Sequence, residues 1–121
     1  MSDKSRTGRY FEDFRVGERL VHPTPRTLTE GDRSLYIGLT GSRDPLSSAV
    51  TVSAALGFSR SPLEPFFLFN VAFGKTVPDI SLNAIANLGY ADLRFLHPVF
   101  SGDTLRVESE ILGLRETSNR K

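Results

Sequence analysis

Glu64-Pro65-Phe66-Phe67-Leu68-Phe69-Asn70-Val71-Ala72-Phe73-Gly74-Lys75-Thr76-Val77-Pro78 is the stretch that decides the fold. Pro65 suits the first position of a helix, where its missing N–H leaves no bond unmade. The run predicts a helix from Phe66 to about Thr76, with Pro78 closing it. Phe66, Phe67, Leu68, Phe69, Val71, Ala72 and Phe73 point to every side of that helix. A helix apolar all round is enclosed by protein. In a chain of 121 residues, the element most able to enclose one helix is a curved sheet.

Downstream, the pattern changes to period two. Ile85, Asn87, Gly89, Ala91, Leu93 and Phe95 alternate with Ala84, Ala86, Leu88, Tyr90, Asp92 and Arg94. That alternation predicts a strand over 83–96 with the first set facing the helix. A second strand follows, with Leu105, Val107, Ser109 and Ile111 inward and Arg106, Glu108 and Glu110 outward. Upstream, Arg19 to Leu28 reads as an extended run. Pro23 and Pro25 make it an edge strand or an irregular one. Thr29 with Asp32 is a short-armed capping box that starts a helix, which Thr40-Gly41-Ser42 ends. Asp44-Pro45 starts another helical stretch, reaching Gly57. Residues 1–9 read as a flexible lead-in, and 10–121 as one domain.

Three strands cannot enclose a helix that is apolar on every side; five or six is the usual sheet size. The expected fold is therefore an incomplete one, to be finished by more of the same chain or by a partner.

The composition narrows the function classes. The chain has no Cys and 2 His, with 15 Lys+Arg against 14 Asp+Glu. Zero Cys removes disulfides, thiolate zinc sites and thiol nucleophiles. Two His leave little for a metal centre, and none is expected. A net charge of +1 supports neither nucleic-acid nor acidic-membrane binding. The N-terminus lacks an apolar targeting segment, and no run reaches membrane-spanning length. A cytoplasmic protein is the expectation.

The segment Asn87-Leu88-Gly89-Tyr90-Ala91-Asp92-Leu93-Arg94-Phe95-Leu96-His97-Pro98-Val99-Phe100-Ser101-Gly102-Asp103 resembles a hallmark of the MaoC-like dehydratase family. Its pattern is Asn-x-Gly, Arg-Phe, Pro-Val, Gly-Asp. The resemblance implies an α+β hot-dog fold, a long central helix wrapped by a curved antiparallel sheet. Further runs, Arg9 to Phe14, Tyr36 to Pro45, Phe73 to Asp79 and Ser81 to Tyr90, look like the N-terminal part of the mesaconyl-CoA hydratases, also called β-methylmalyl-CoA dehydratases. Members of that kind carry two hot-dog units in one chain. This chain is thus expected to be most of a first unit. Its partners would be an acyl-CoA thioester and a second hot-dog unit, in the same chain or another, with homo-oligomers expected. CoA enters as part of the substrate, and no other cofactor is implied.

Residue by residue, the resemblance points to Asn87, Gly89 and Arg94 for the thioester. Gly89 and Ala91 leave room beside the helix, and Asn87 offers a donor and an acceptor. That suits a pantetheine arm. It equally suits a strand whose small residues let a Phe-rich helix approach. Arg94 would meet a CoA phosphate, or remain a solvated Arg paired with Asp92 or Glu108. Asp103 reads as a turn residue, and His97 as structural, with no acid placed to orient it.

The family's chemistry needs a base for water, an acid for the α-carbon and N–H donors on the thioester oxygen. The resemblance puts the acid–base pair in a loop of the form Gly-Asp-x-Asn-Pro-Leu-His and one N–H donor on a Gly opening the central helix. Here the loop reads Gly41-Ser42-Arg43-Asp44-Pro45-Leu46-Ser47. Ser42 stands at the Asp position and Ser47 at the His position. Pro65, which has no N–H, stands at the Gly position, and Glu64 stands before it where His is usual. The implied role is a non-catalytic half that shapes the substrate tunnel. Asp44 and Glu64 remain the catalytic candidates of a re-routed site, with Lys75 beside them, although Asp44 is also a natural cap for a helix starting at Pro45. The alternatives are a non-catalytic thioester-binding or dimerisation module and a hot-dog thioesterase using Asp44 or Glu64.

Overall fold

The computed structural model describes residues 7–117. After a 3-10 turn at Phe11–Asp13 come strands β1 (Arg19–Val21) and β2 (Arg26–Thr27). Helices α1 (Glu30–Thr40), α2 (Pro45–Ser48), α3 (Val50–Ala55) and α4 (Pro65–Ile80) follow, and then strands β3 (Thr104–Leu105) and β4 (Glu108–Glu110).

The local signals act as expected at the helix starts. The Thr29 hydroxyl accepts from the Asp32 N–H, while the Asp32 carboxylate accepts from the Thr29 N–H. Gly41 ends α1 in the left-handed region, at φ 63°, which glycine adopts without strain. The stretch from Pro45 is two short helices rather than one, because Ala49 is extended between them.

α4 does not stop at Pro78. It runs to Ile80, with Pro78 inside its last turn. The Ser81 N–H bonds the Val77 carbonyl at 3.1 Å, and Asp79 is anchored from outside by His22. Those two ties hold the turn although proline contributes no N–H.

β1 pairs antiparallel with β4, and β2 with β3. The two pairings form one ribbon broken by a bulge. Val21 opposes Glu108 and Arg26 opposes Leu105, so His22-Pro23-Thr24-Pro25 face only Arg106-Val107. The two prolines cannot donate to the ladder, and Thr24 sits at φ 66°. Along 105–111 the predicted alternation holds: Leu105, Val107, Ser109 and Ile111 are half-buried and Arg106, Glu108 and Glu110 exposed.

The expected strand at 83–96 is not a strand. Residues 84–98 are exposed, with no ladder partner. Gly89 (φ 147°) and Asp92 (φ 53°) interrupt its extended backbone. The bend changes the parity of the side chains. Tyr90, assigned outward by alternation, packs edge-on against Phe69 and Phe73 of α4, and Phe95, five residues on, packs against Phe66. In an unbroken strand those two would lie on opposite faces.

The sheet is thus partial, and α4 is not enclosed. None of its residues is buried, and Phe66 is 57% exposed. Among the described residues, the buried apolar side chains are Leu28, Leu63 and Pro62. The surface is 9436 Å², against about 6,500 Å² for a compact protein of this mass. Thr7 to Arg9, read from the sequence as lead-in, are held by Asn83, whose amide donates to the Thr7 and Arg9 carbonyls. The rest of that lead-in, residues 1–6, lies outside the described residues, as do 118–121.

Candidate functional site

A cavity of about 220 Å³ opens beside the first turns of α4. Its walls are mainly apolar: Leu46, Pro62, Leu63, Pro65, Leu68, Phe95, Leu96, Pro98 and Val99. Asp44, Ser47 and His97 supply its polar groups.

Asp44 is the N-cap of α2. Its carboxylate accepts from the Leu46 N–H at 3.2 Å and from the Ser47 hydroxyl at 2.7 Å. Ser47 is fully buried. The two loop positions therefore hold each other, and Ser42 lies outside the cavity's lining.

Glu64 is buried, and it caps α4. Its carboxylate accepts from the Phe66 and Phe67 N–H groups at 3.3 and 3.2 Å. The Leu68 N–H bonds the Glu64 carbonyl at 3.3 Å. Pro65 has no N–H to offer. A helix start normally presents unpaired N–H groups to an anion; here Pro65 through Leu68 present none. Tyr36 closes this corner, its ring 5.3 Å from that of Phe67. Burial, and then the hydrogen bond and charge of Glu64, push the Tyr36 phenol above its ordinary value.

The remaining sequence candidates do not converge on this cavity. The Asn87 amide donates to the Tyr90 hydroxyl at 2.6 Å, and its carbonyl accepts from the Gly89 N–H at 3.0 Å. Asn87, Gly89 and Arg94 are all exposed. Glu108, offered as a partner for Arg94, pairs with Arg19 at 3.1 Å. Lys75 lines a different cavity, along the later turns of α4. Asp103 is the turn residue expected, accepting from the Phe100 N–H at 2.9 Å.

Two arrangements were not read from the sequence. His97 shares the cavity with Asp44, although more than fifty positions separate them along the chain. His22, buried, contacts Asp79 through Nδ1 at 2.8 Å and Ser109 through Nε2 at 2.7 Å. The second has the connectivity of a Ser-His-Asp relay. The imidazole is wholly covered, and neither His22 nor Ser109 lines a described cavity, so it acts as a clamp between the ribbon and α4. The ordering of Ser109 on the inward face was the one sequence signal for it.

No helix among the described residues is long and apolar enough to cross a membrane.

Comparison with known proteins places the chain. The profile of the family described as mesaconyl-CoA hydratase matches residues 1–121. The chain is 53% identical over 121 residues to a β-methylmalyl-CoA dehydratase of Chloroflexus aurantiacus, covering all of this chain and 34% of that protein. It is 53% identical over 116 residues to a mesaconyl-CoA hydratase of Cereibacter sphaeroides, covering 96% of this chain and 34% of that protein. A crystal structure of a MaoC domain protein from Chloroflexus aurantiacus superposes with a TM-score of 0.91 at 53% identity, over 97% of this chain and 33% of that one. The chain spans about a third of the length of the curated relatives it matches. Its α+β fold with a partial antiparallel sheet is that of MaoC-type hot-dog proteins, and the chain belongs to the mesaconyl-CoA hydratase family.

Proposed function

We propose that this chain serves as the N-terminal, non-catalytic hot-dog part of an acyl-CoA hydratase/dehydratase acting on mesaconyl-CoA and β-methylmalyl-CoA. It shapes the acyl end of the substrate tunnel, and a second hot-dog unit supplies the acid–base pair and covers α4. The carrying observation is the closed start of α4. Pro65 has no N–H, and the Phe66, Phe67 and Leu68 N–H groups are all taken by Glu64. An enolate oxygen needs free donors, and this end of the helix offers none. The apolar cavity beside it suits a small branched acyl group. The names of the two relatives supply the substrate class.

Hydration of mesaconyl-CoA by the full-length protein is the test. Asp44→Ala and Glu64→Ala are expected to keep activity near wild type. Loss of activity by about a hundredfold, the scale of a missing acid or base, overturns the reading. Release of free CoA in place of hydration would assign a thioesterase, and no affinity for any CoA thioester would assign a scaffold.

One observation favours a second reading. Asp44 and His97 line the same cavity and form a re-routed acid–base pair in that reading. His97→Ala in the same assay separates the two: a collapse in kcat with KM held selects the re-routed site.

A further inference from the structure

The cavity beside the first turns of α4 has one polar side chain still open. Of its three polar residues, Asp44 and Ser47 satisfy each other. The Ser47 hydroxyl donates to the Asp44 carboxylate at 2.7 Å, and the Leu46 N–H donates to the same carboxylate at 3.2 Å. Ser47 is fully buried and has given its only hydroxyl proton to that bond. His97 lines the cavity and stays open to solvent. Its ring has no hydrogen-bond or ion-pair partner among the described residues.

The segment that carries His97 is anchored. The Leu63 N–H bonds the Val99 carbonyl at 2.7 Å. Arg60 donates to the Ser101 carbonyl at 3.0 Å and lies 4.8 Å over the Phe100 ring. These ties fix the chain just beyond His97 to the Pro62 and Leu63 wall of the same cavity. The imidazole is therefore presented from a loop whose position is already set, which lowers the cost of ordering it around a ligand.

An apolar cavity of about 220 Å³ with one open N–H donor fits a short branched chain that ends in an acceptor. A carboxylate taken into such surroundings needs a donor or a counter-charge. Asp44 offers neither, because an ionised carboxylate only accepts. No lysine or arginine lines the cavity among the described residues. His97 is the group left to meet an anion there.

We propose that His97 is the specificity residue of this cavity: it receives the free carboxylate at the far end of the acyl group and so selects thioesters of dicarboxylic acids over plain enoyl thioesters. The choice of acyl group rests on the function proposed above. Mesaconic and β-methylmalic acids are both branched dicarboxylic acids, so a thioester at one end leaves a carboxylate at the other. Leu63, Leu68 and the prolines of the wall accept the carbon chain and its methyl branch, and they accept a plain acyl group equally well. The imidazole N–H is the group that tells the two apart. A site built around a polar contact rejects the analogue that lacks it more strongly than an apolar wall separates one methyl group from none. This role holds an anion and moves no proton, which sets it apart from an acid–base pair with Asp44.

Hydration kinetics of the full-length protein with mesaconyl-CoA test it. The control is tiglyl-CoA, the same branched enoyl thioester with a methyl in place of the carboxylate, read as a competing ligand. Wild-type protein is expected to hold mesaconyl-CoA the more tightly. His97→Leu is expected to raise the KM for mesaconyl-CoA about tenfold or more with kcat little changed, while the inhibition constant of tiglyl-CoA stays or falls. His97→Gln, which keeps a side-chain N–H, should recover part of the loss. An unchanged KM in His97→Leu, or an equal weakening of both thioesters, overturns the proposal. So does a collapse in kcat with KM held, which assigns His97 to the chemistry. If wild-type protein does not hydrate mesaconyl-CoA, the proposed function fails by itself, and calorimetric binding of the same two thioesters reads the site. A preference for mesaconyl-CoA that His97→Leu removes then supports the proposal, and equal or absent binding overturns it.

Discussion

His22 Nδ1 lies 2.8 Å from Asp79 Oδ2, a contact between residues 57 positions apart. One joins the strand bulge and the other the last turn of α4. Ser109 on β4 completes the link through Nε2 at 2.7 Å. A buried ring with both nitrogens bonded is a strong constraint, since removing it leaves two polar partners to find water. His22→Ala is expected to cost about 1–3 kcal/mol in a denaturant melt. Asp79→Asn, which keeps a polar partner, should cost less. A melt unmoved by His22→Ala would show that the clamp contributes nothing.

Glu64 caps the central helix through two backbone N–H groups. Glu64→Ala should lower stability by about 1 kcal/mol, the usual worth of a cap. The same variant should also lower the Tyr36 pKa, because Glu64 is one cause of its upward shift. Ultraviolet titration of the tyrosinate signal, with Tyr36→Phe to identify it, checks the second effect.

Gly8 sits at φ 82°, and a Cβ there would stand 2.6 Å from Asn83 Nδ2 and 3.0 Å from Leu82 Cβ. Gly8→Ala combines a left-handed backbone penalty of about 1–2 kcal/mol with a clash against the amide that holds this segment. Faster proteolysis near the N-terminus together with a lower melting temperature is expected. An unchanged cleavage pattern would mean that the Asn83 tether does not hold the segment.

Acid should unfold this protein partly through two carboxylates. The hydrogen bond from Arg9 is the main cause holding Glu18 below its ordinary 4.5, with the Arg9 charge adding to it against some burial. At Asp32 burial works upward, but the Thr29 and Arg26 hydrogen bonds outweigh it and hold the group below its ordinary 3.8. A depressed folded pKa gives stability that is present above the unfolded value and lost as pH falls through the folded one. Melting temperature should therefore fall below about pH 4.5, and Arg9→Gln should flatten that fall. A slope identical in Arg9→Gln and wild type removes Glu18 from the account.

The 121-residue chain alone should associate. Ile85, Leu88, Leu96 and Leu112 are each more than three-quarters exposed, and Phe66 stands open on α4. Apolar surface on that scale drives association. Light scattering is expected to report oligomers or aggregate, and a clean monomer with a cooperative melt would contradict the uncovered-helix account.

Much of this was legible locally. The caps at Thr29 and Asp44, and Pro65 at the first position of α4, involve groups at most three residues apart, so sequence spacing states them directly; the Glu64 cap emerged only from the structure. Alternation over 105–111 was legible because β4 and β3 have partners that hold an extended backbone. Alternation over 83–96 misled for the converse reason. With no ladder to enforce the pleat, Gly89 and Asp92 took positive φ, and Tyr90 turned to the Phe69 and Phe73 rings. α4 continues past Pro78 because the His22–Asp79 contact helps to hold its last turn, and no local spacing states a contact of that range.

Residue order was enough to establish a Phe-rich helix too apolar for the sheet that follows it, and an acid–base loop reduced to Ser42, Asp44 and Ser47. Both are matters of composition at neighbouring positions. Folding was needed to bring His97 to the cavity of Asp44 and His22 to Asp79. Each of those pairs lies dozens of residues apart along the chain, and contacts of that range depend on packing, which no local period encodes.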